Sequence, residues 1–329
     1  DIGEAMLQSG AENFRLEDSF YRMCRSYGFK RSDVFVIPSN IQVTVETPEG
    51  EIITQIRHIE SSEPNFDQLD YLNNLCRYVC QHTPDENEMR EKYLEVINRE
   101  PQKHITRYAA GIMGGTGFAV FFGCNLRDAL IAFIVSVMIV AVGDWLAKRE
   151  SNLLVYNGIL AFISEVIIIG ALKMGIAEHP DRIMIGIVML LISGLSTTNG
   201  IRDLLQRDFI SGFINIMNSF LGAAGIAFGI GLAIILFHEG YSDHFILNHS
   251  VPIQLLSCTV ACTGFALWFK IRGKQVWYNS IGAFFTWAIY VAVYAVKPSN
   301  FLATMIAAGF VGFYAFIMSR VNKAPSTIF

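Results

Sequence analysis

Apolar and polar residues follow two different rhythms along this chain. Up to about Arg107, apolar positions recur at helix or strand spacing with polar residues between them. Beyond it they fuse into long stretches with brief polar breaks. In the first part, Leu16, Phe20, Met23 and Tyr27 return every three or four residues, so residues 2–27 read as a helix that Gly28 ends. The period then becomes two. Ile41, Val43 and Val45 alternate with Gln42, Thr44 and Glu46, a strand with one wet face. Thr47-Pro48-Glu49-Gly50 supplies a turn, Ile52 to Ile56 a returning strand, and Asp33 to Ile37 a short additional one. Phe66, Leu69, Leu72, Leu75, Cys76 and Val79 mark a second helix. Thr83-Pro84-Asp85-Glu86 opens a third, with Thr83 as N-cap and Pro84 in its first position. The order α-β-β-β-α-α describes a small α+β domain over residues 1–105.

The second rhythm predicts eight membrane spans near 108–124, 129–146, 153–172, 183–198, 210–237, 252–269, 277–296 and 301–319. Most approach the ~20 residues that cross the hydrocarbon core, and the fifth is long enough to tilt or bend. Composition agrees with the division. Only 16% of the 329 residues are charged and 52% are hydrophobic, where soluble domains carry about 25% charge. Residues 1–107 hold 19 acidic and 12 basic side chains, leaving 10 and 13 for the rest. The pattern is that of a water-facing domain ahead of an all-α polytopic body. The near-neutral total and the lack of a Lys/Arg run argue against nucleic acid as a partner. The opening DIGEAMLQSGAENF does not read as a signal peptide, and Asp1 in place of Met predicts a native start upstream. Lys and Arg in the short loops number nine on one side and four on the other. That bias puts the N-terminal domain in the cytoplasm and the body in the cell membrane.

Six cysteines stand as Cys24, Cys76 and Cys80, then Cys124, Cys258 and Cys262. The pairs four apart lack a second pair at zinc spacing, so they read as small buried thiols in a reducing compartment. HExxH and GxSxG are absent, and His58 and His82 stand alone. No cofactor or metal is expected.

The body repeats itself. Thr116-Gly117-Phe118-Ala119 returns as Thr263-Gly264-Phe265-Ala266, a shift of 147, and Ser151-Asn152 returns as Ser299-Asn300, a shift of 148. The first copy lies in span one and the second in span six, so the unit is five spans. An odd number inverts the second copy, a plan common among secondary transporters. The expected organisation is thus a first membrane repeat at 106–238 and a second at 251–329. The second shows three of five spans, which predicts two more beyond Phe329.

Three segments resemble the threonine/serine exporter family. They are the SGAENFRLE of residues 9–17, Gly123 followed by Arg127-Asp128-Ala129 with Cys124 where a second glycine is usual, and most specifically Asn199-Gly200-Ile201-Arg202-Asp203-Leu204-Leu205 followed by Asp208 and Gly212. The resemblance implies a cytoplasmic N-terminal domain, ten spans as five plus five, and export of threonine, serine or a similar small metabolite driven by the proton gradient. Split relatives are associated with dicarboxylates, so a dicarboxylate exporter of the same architecture is the alternative. A membrane-anchored sensor or enzyme using the N-terminal domain is a further one, and a channel a weaker one. The expected partners are the small-molecule substrate, the bilayer and protons; a homo-oligomer is left open.

Several polar residues are candidates for transport. Glu165 sits well inside span three, where a charged group costs about 2.5–3.5 kcal/mol or more. It is either the proton-coupling residue or a neutral acid hydrogen-bonded to a neighbour. Asp144 either pairs with Lys148 one turn on or serves the pathway. Asp128 either caps a helix or gates an outer mouth. Thr198 and Asn199 close span four before Gly200, a break tolerated only where protein or a wet cavity receives the freed backbone. Arg202 and Asp203 form a salt bridge or line an inner vestibule, the latter favoured by the family signature. Asn215, Asn218 and Ser219 give span five a polar face that either joins helices or meets substrate. The glycines of spans one and five permit close helix contact. The orientation is testable: a reporter fused after His238 is expected outside and one after Gly273 inside, and the opposite pattern overturns both the orientation and the inversion.

Overall fold

The computed structural model describes residues 1–60, 62–237 and 250–329. Its elements are α1 (Ile2–Gln8), α2 (Asn13–Ser26), β1 (Arg31–Ile37), β2 (Asn40–Glu46), β3 (Ile52–His58), α3 (Phe66–His82), α4 (Glu86–Ile97), α5 (His104–Phe121), α6 (Leu126–Leu146), α7 (Leu153–Lys173), α8 (Pro180–Leu191), α9 (Gly194–Leu205), α10 (Phe209–Phe237), α11 (Val251–Trp268), α12 (Lys274–Val296), α13 (Asn300–Asn322) and a short 3-10 turn at Ser326–Ile328. They form two compact units. The front unit comprises Asp1–Pro101 with Gly194–Met217, and the membrane unit Gln102–Ser193 with Asn218–Phe329. The front unit therefore includes α9 and the start of α10, segments that the hydropathy pattern gives to spans four and five. His238, the expected end of the first repeat, lies outside the described residues.

In the front unit the three strands form an antiparallel sheet in the order β1-β2-β3. Val36 pairs with Ile41 and Val45 with Ile53. Val36 and Ile41 are buried, whereas β3 is exposed along its whole length. Leu16 of α2 and Phe66, Leu69, Leu72 and Val79 of α3 complete the core. The single helix expected over 2–27 is two. Gly10 has φ +87°, and the carbonyls of Gln8 and Ser9 accept from the Glu63 and Asn65 N–H groups of the segment before α3. A helix cannot continue through carbonyls already engaged elsewhere. The cap expected at Thr83 also moves. Thr83 adopts the left-handed conformation that ends α3, and Asp85 caps α4 by accepting from the Glu88 N–H at 2.8 Å.

In the membrane unit every apolar stretch becomes a helix, but not each one is a span. Six of the described helices (α6, α7, α10, α11, α12 and α13) are long and apolar enough to cross a bilayer. α5, expected to be the first span, is not among them, because His104, Arg107 and its glycines lower its hydropathy. The fourth expected span is interrupted between Leu191 and Gly194; taken together, α8 and α9 make a seventh candidate.

Small residues set the helix crossings. A Cβ built on Gly117 would lie 2.9 Å from the Ala261 backbone nitrogen, one on Gly264 2.5 Å from the Gly114 nitrogen, and one on Gly186 2.6 Å from Ala119 Cα. Phe118 and Phe265 meet edge to face at 5.4 Å. The two copies of the Thr-Gly-Phe-Ala segment thus pack against each other across α5 and α11. α10 approaches α7 in the same way, at Gly225 against Leu154 and Gly229 against Gly158. Because backbone rather than side chain would block the new atoms, Gly264→Val is expected to destabilise the fold by about 1–3 kcal/mol or more. Gly312, with open space around it, should accept alanine unchanged. Thermal unfolding of both variants in detergent checks the contrast.

Candidate functional site

Ionisable groups in a bilayer-embedded bundle mark its pathways by default, and the structure separates the candidates sharply. Glu165 is 1% exposed in the middle of α7. A small void of about 10 Å³ adjoins it, walled by Ser164, Ile168, Met184, Ile187, Leu191 and Ile230. The lining is mostly apolar, and Glu165 lies where α7, α8 and α10 meet.

Asp128 is fully buried but does not cap its helix; Asn125 does, accepting from the Asp128 N–H at 2.9 Å. The Asp128 carboxylate reaches the loop between α7 and α8. It accepts from the N–H groups of Glu178 at 2.8 Å and His179 at 3.2 Å, and its other oxygen lies 2.8 Å from His179 Nδ1. Arg127 pairs with Glu178 at 3.0 Å, and Arg182 donates to the Gly123 carbonyl at 2.7 Å. Two helix–helix connections are thereby locked together. Asp144, expected to pair with Lys148, is instead held by Arg107 of α5 at 2.6 Å.

In the front unit, Arg202 and Asp203 do not pair with each other. Arg202 forms an ion pair with Glu12, and Asp203, 4% exposed, accepts from Asn215 Nδ2 at 3.0 Å and Asn13 Nδ2 at 3.4 Å. Ser211 donates to the Val36 carbonyl at 3.4 Å. Gly200 and Gly212 explain the rest of the signature: a Cβ on either would fall within about 3 Å of the other's carbonyl oxygen, so α9 and α10 touch along their backbones. Asp208 receives the Ser211 N–H at 3.3 Å at the start of α10. The SGAENF segment and the NGIRDLL segment, some 190 residues apart, are thus one polar joint.

The polar face expected from Asn215, Asn218 and Ser219 is not a common surface. Asn215 serves Asp203, Ser219 donates to the Ser193 carbonyl at 3.1 Å, and Asn218 is exposed. Thr198 is exposed and bonds its own helix at Gly194 O (3.0 Å), while Asn199 is half-buried. Arg107 and His179 were not signalled by pattern, and Glu12 and Asn13 stood in the SGAENFRLE segment without a sign of their partners, because each acts across a long stretch of chain. No group of three or more metal-ligating side chains exists among the described residues.

Six described helices long and apolar enough to cross a bilayer, in a chain that also carries a small α+β unit, define a multi-pass membrane protein. Residues 1–237 match the family model described as "Putative threonine/serine exporter", and residues 254–329 match the one described as "Threonine/Serine exporter, ThrE". The chain belongs to the threonine/serine exporter family. It is 24% identical over 245 residues to a threonine/serine exporter of Corynebacterium glutamicum, covering 71% of this chain and 50% of that relative. The chain therefore spans half the length of the curated relative. No solved structure matches it at significance.

Glu17 of α2 accepts from the Val36 N–H at 3.3 Å beside the joint. Burial pushes its carboxyl above the ordinary value; the Val36 N–H works against this, and the Asp208 and Asp203 carboxylates add to it. A raised acid binds its proton more tightly folded than unfolded, so stability is lost as pH rises through the folded value. Glu17→Gln should therefore raise the unfolding temperature at neutral pH, with the gain vanishing toward acid pH. A gain that grows on acidification contradicts this.

Proposed function

We propose that the protein exports small polar metabolites, threonine and serine foremost, with Glu165 coupling their movement to the proton gradient. In this reading the front unit faces the cytoplasm and the two halves of the body are inverted copies. Family membership supports the cargo class, and the packing of the two Thr-Gly-Phe-Ala copies against each other supports the duplication.

The burial of Glu165 carries the coupling. An ionisable side chain inside a membrane span is costly to keep there and marks proton or ion pathways. A group so placed takes a proton when the pocket opens to one side and releases it when the pocket opens to the other. Rocking of two inverted halves about a midplane site provides those openings. A void of about 10 Å³ adjoins the group. Asp128, Asp144 and Asp203 have partners that hold each at a joint, so they act as framework rather than as cargo contacts.

Glu165→Gln keeps shape and hydrogen-bonding capacity while removing titration. The variant is expected to insert, fold and catalyse serine or threonine counterflow, yet to lose accumulation driven by a pH gradient in the same proteoliposomes. Gradient-driven transport at the wild-type rate removes Glu165 as the coupling residue.

A further inference from the structure

The front unit contains a cavity of about 400 Å³ between α1, α2 and α4, which neither the polar joint nor Glu165 involves. That volume lies in the range of small-molecule sites. Phe20, Met23, Phe29, Met89 and Tyr93 provide its walls, and burial pushes the Tyr93 hydroxyl and the adjoining Cys24 thiol up from their ordinary values. Rings and thioethers of this kind accept apolar ligands of irregular shape. Three charged residues line it: Asp1, whose carboxylate lies 3.9 Å from Arg57, and Glu86 and Arg90, one turn apart on α4. Opposite charges at this spacing usually satisfy each other, yet neither forms an ion pair among the described residues.

We propose that this cavity binds a free α-amino acid with a large apolar side chain, the ring or branched chain inside and the charged end between Glu86 and Arg90. A cavity with one charge at its rim would suit a fatty acid or an amine. With the Asp1 carboxylate beside Arg57, the Glu86 carboxylate and the Arg90 guanidinium, one turn apart, match the ammonium and carboxylate of a zwitterion. The guanidinium presents a fork to the ligand's carboxylate. Serine and threonine leave the apolar walls uncovered, so the site discriminates against the proposed cargo and reads a different amino acid.

The full chain in nanodiscs, with no gradient applied, allows the test by equilibrium binding of labelled phenylalanine. Binding is therefore read independently of any transport. Saturable binding is expected, displaced by leucine but not by serine, and weakened about tenfold or more for phenethylamine and for hydrocinnamate, each of which lacks one charged group. Arg90→Gln and Glu86→Gln, both at exposed positions, should each weaken phenylalanine about tenfold with the unfolding temperature unchanged. Met89→Trp, which fills the cavity, should abolish binding; should it misfold, the two charge variants and the ligand series decide alone. Absence of saturable binding at millimolar phenylalanine, equal competition by serine, or unchanged affinity in Arg90→Gln overturns the proposal.

Discussion

Hydrocarbon offers no hydrogen bond to a stray peptide group and no hydrophobic reward to two helices that touch. Contact within such a bundle depends on how closely backbones approach, and that is decided where side chains vanish. Gly117 against Ala261, Gly264 against Gly114, Gly186 against Ala119 and Gly229 against Gly158 are those places. At these crossings dispersion contacts and aromatic edges such as Phe118 on Phe265 replace the missing hydrophobic drive. The remaining order of the membrane unit rests on them, because the short loops and the buried acids sit at helix ends and faces that the crossings align.

The buried acids then meet different fates for one reason: a charge removed from water needs a partner whose geometry is held for it. Asp128 receives two backbone N–H groups and an imidazole nitrogen, Asp144 a guanidinium, Asp203 two amide side chains. Each set ties together elements that are distant in sequence. Glu165 is buried at the contact of α7, α8 and α10, beside a small void.

The family signature near residue 200 acquires a structural meaning from the front unit. Its glycines bring α9 and α10 into backbone contact, its aspartate at 203 holds Asn13 and Asn215, and its arginine at 202 pairs with Glu12. Two segments at opposite ends of the first 217 residues therefore constrain each other chemically. A polar joint of buried donors and acceptors tolerates substitution poorly, since removing one partner strands another.

Local pattern by itself determined most of the helices and strands, the change from a charge-rich first part to an apolar remainder, and the Thr-Gly-Phe-Ala repetition. These depend on periodicity and composition, which neighbours along the chain carry. It also singled out Glu165, because an acid within twenty apolar residues is conspicuous without any knowledge of packing. The split of the first helix at Gly10, the cap at Asp85 instead of Thr83, and the shortfall of α5 as a span required more detail: which carbonyls other segments engage, and how His104 and Arg107 weigh against the apolar residues beside them. Tertiary structure alone decided the partners. Asp144 met Arg107 rather than Lys148, Asp128 met His179, and Arg202 and Asp203 met Glu12 and Asn13 rather than each other. An ion pair or hydrogen bond is chosen by distance in space, and helix crossings bring together side chains whose separation along the chain carries no trace of that distance.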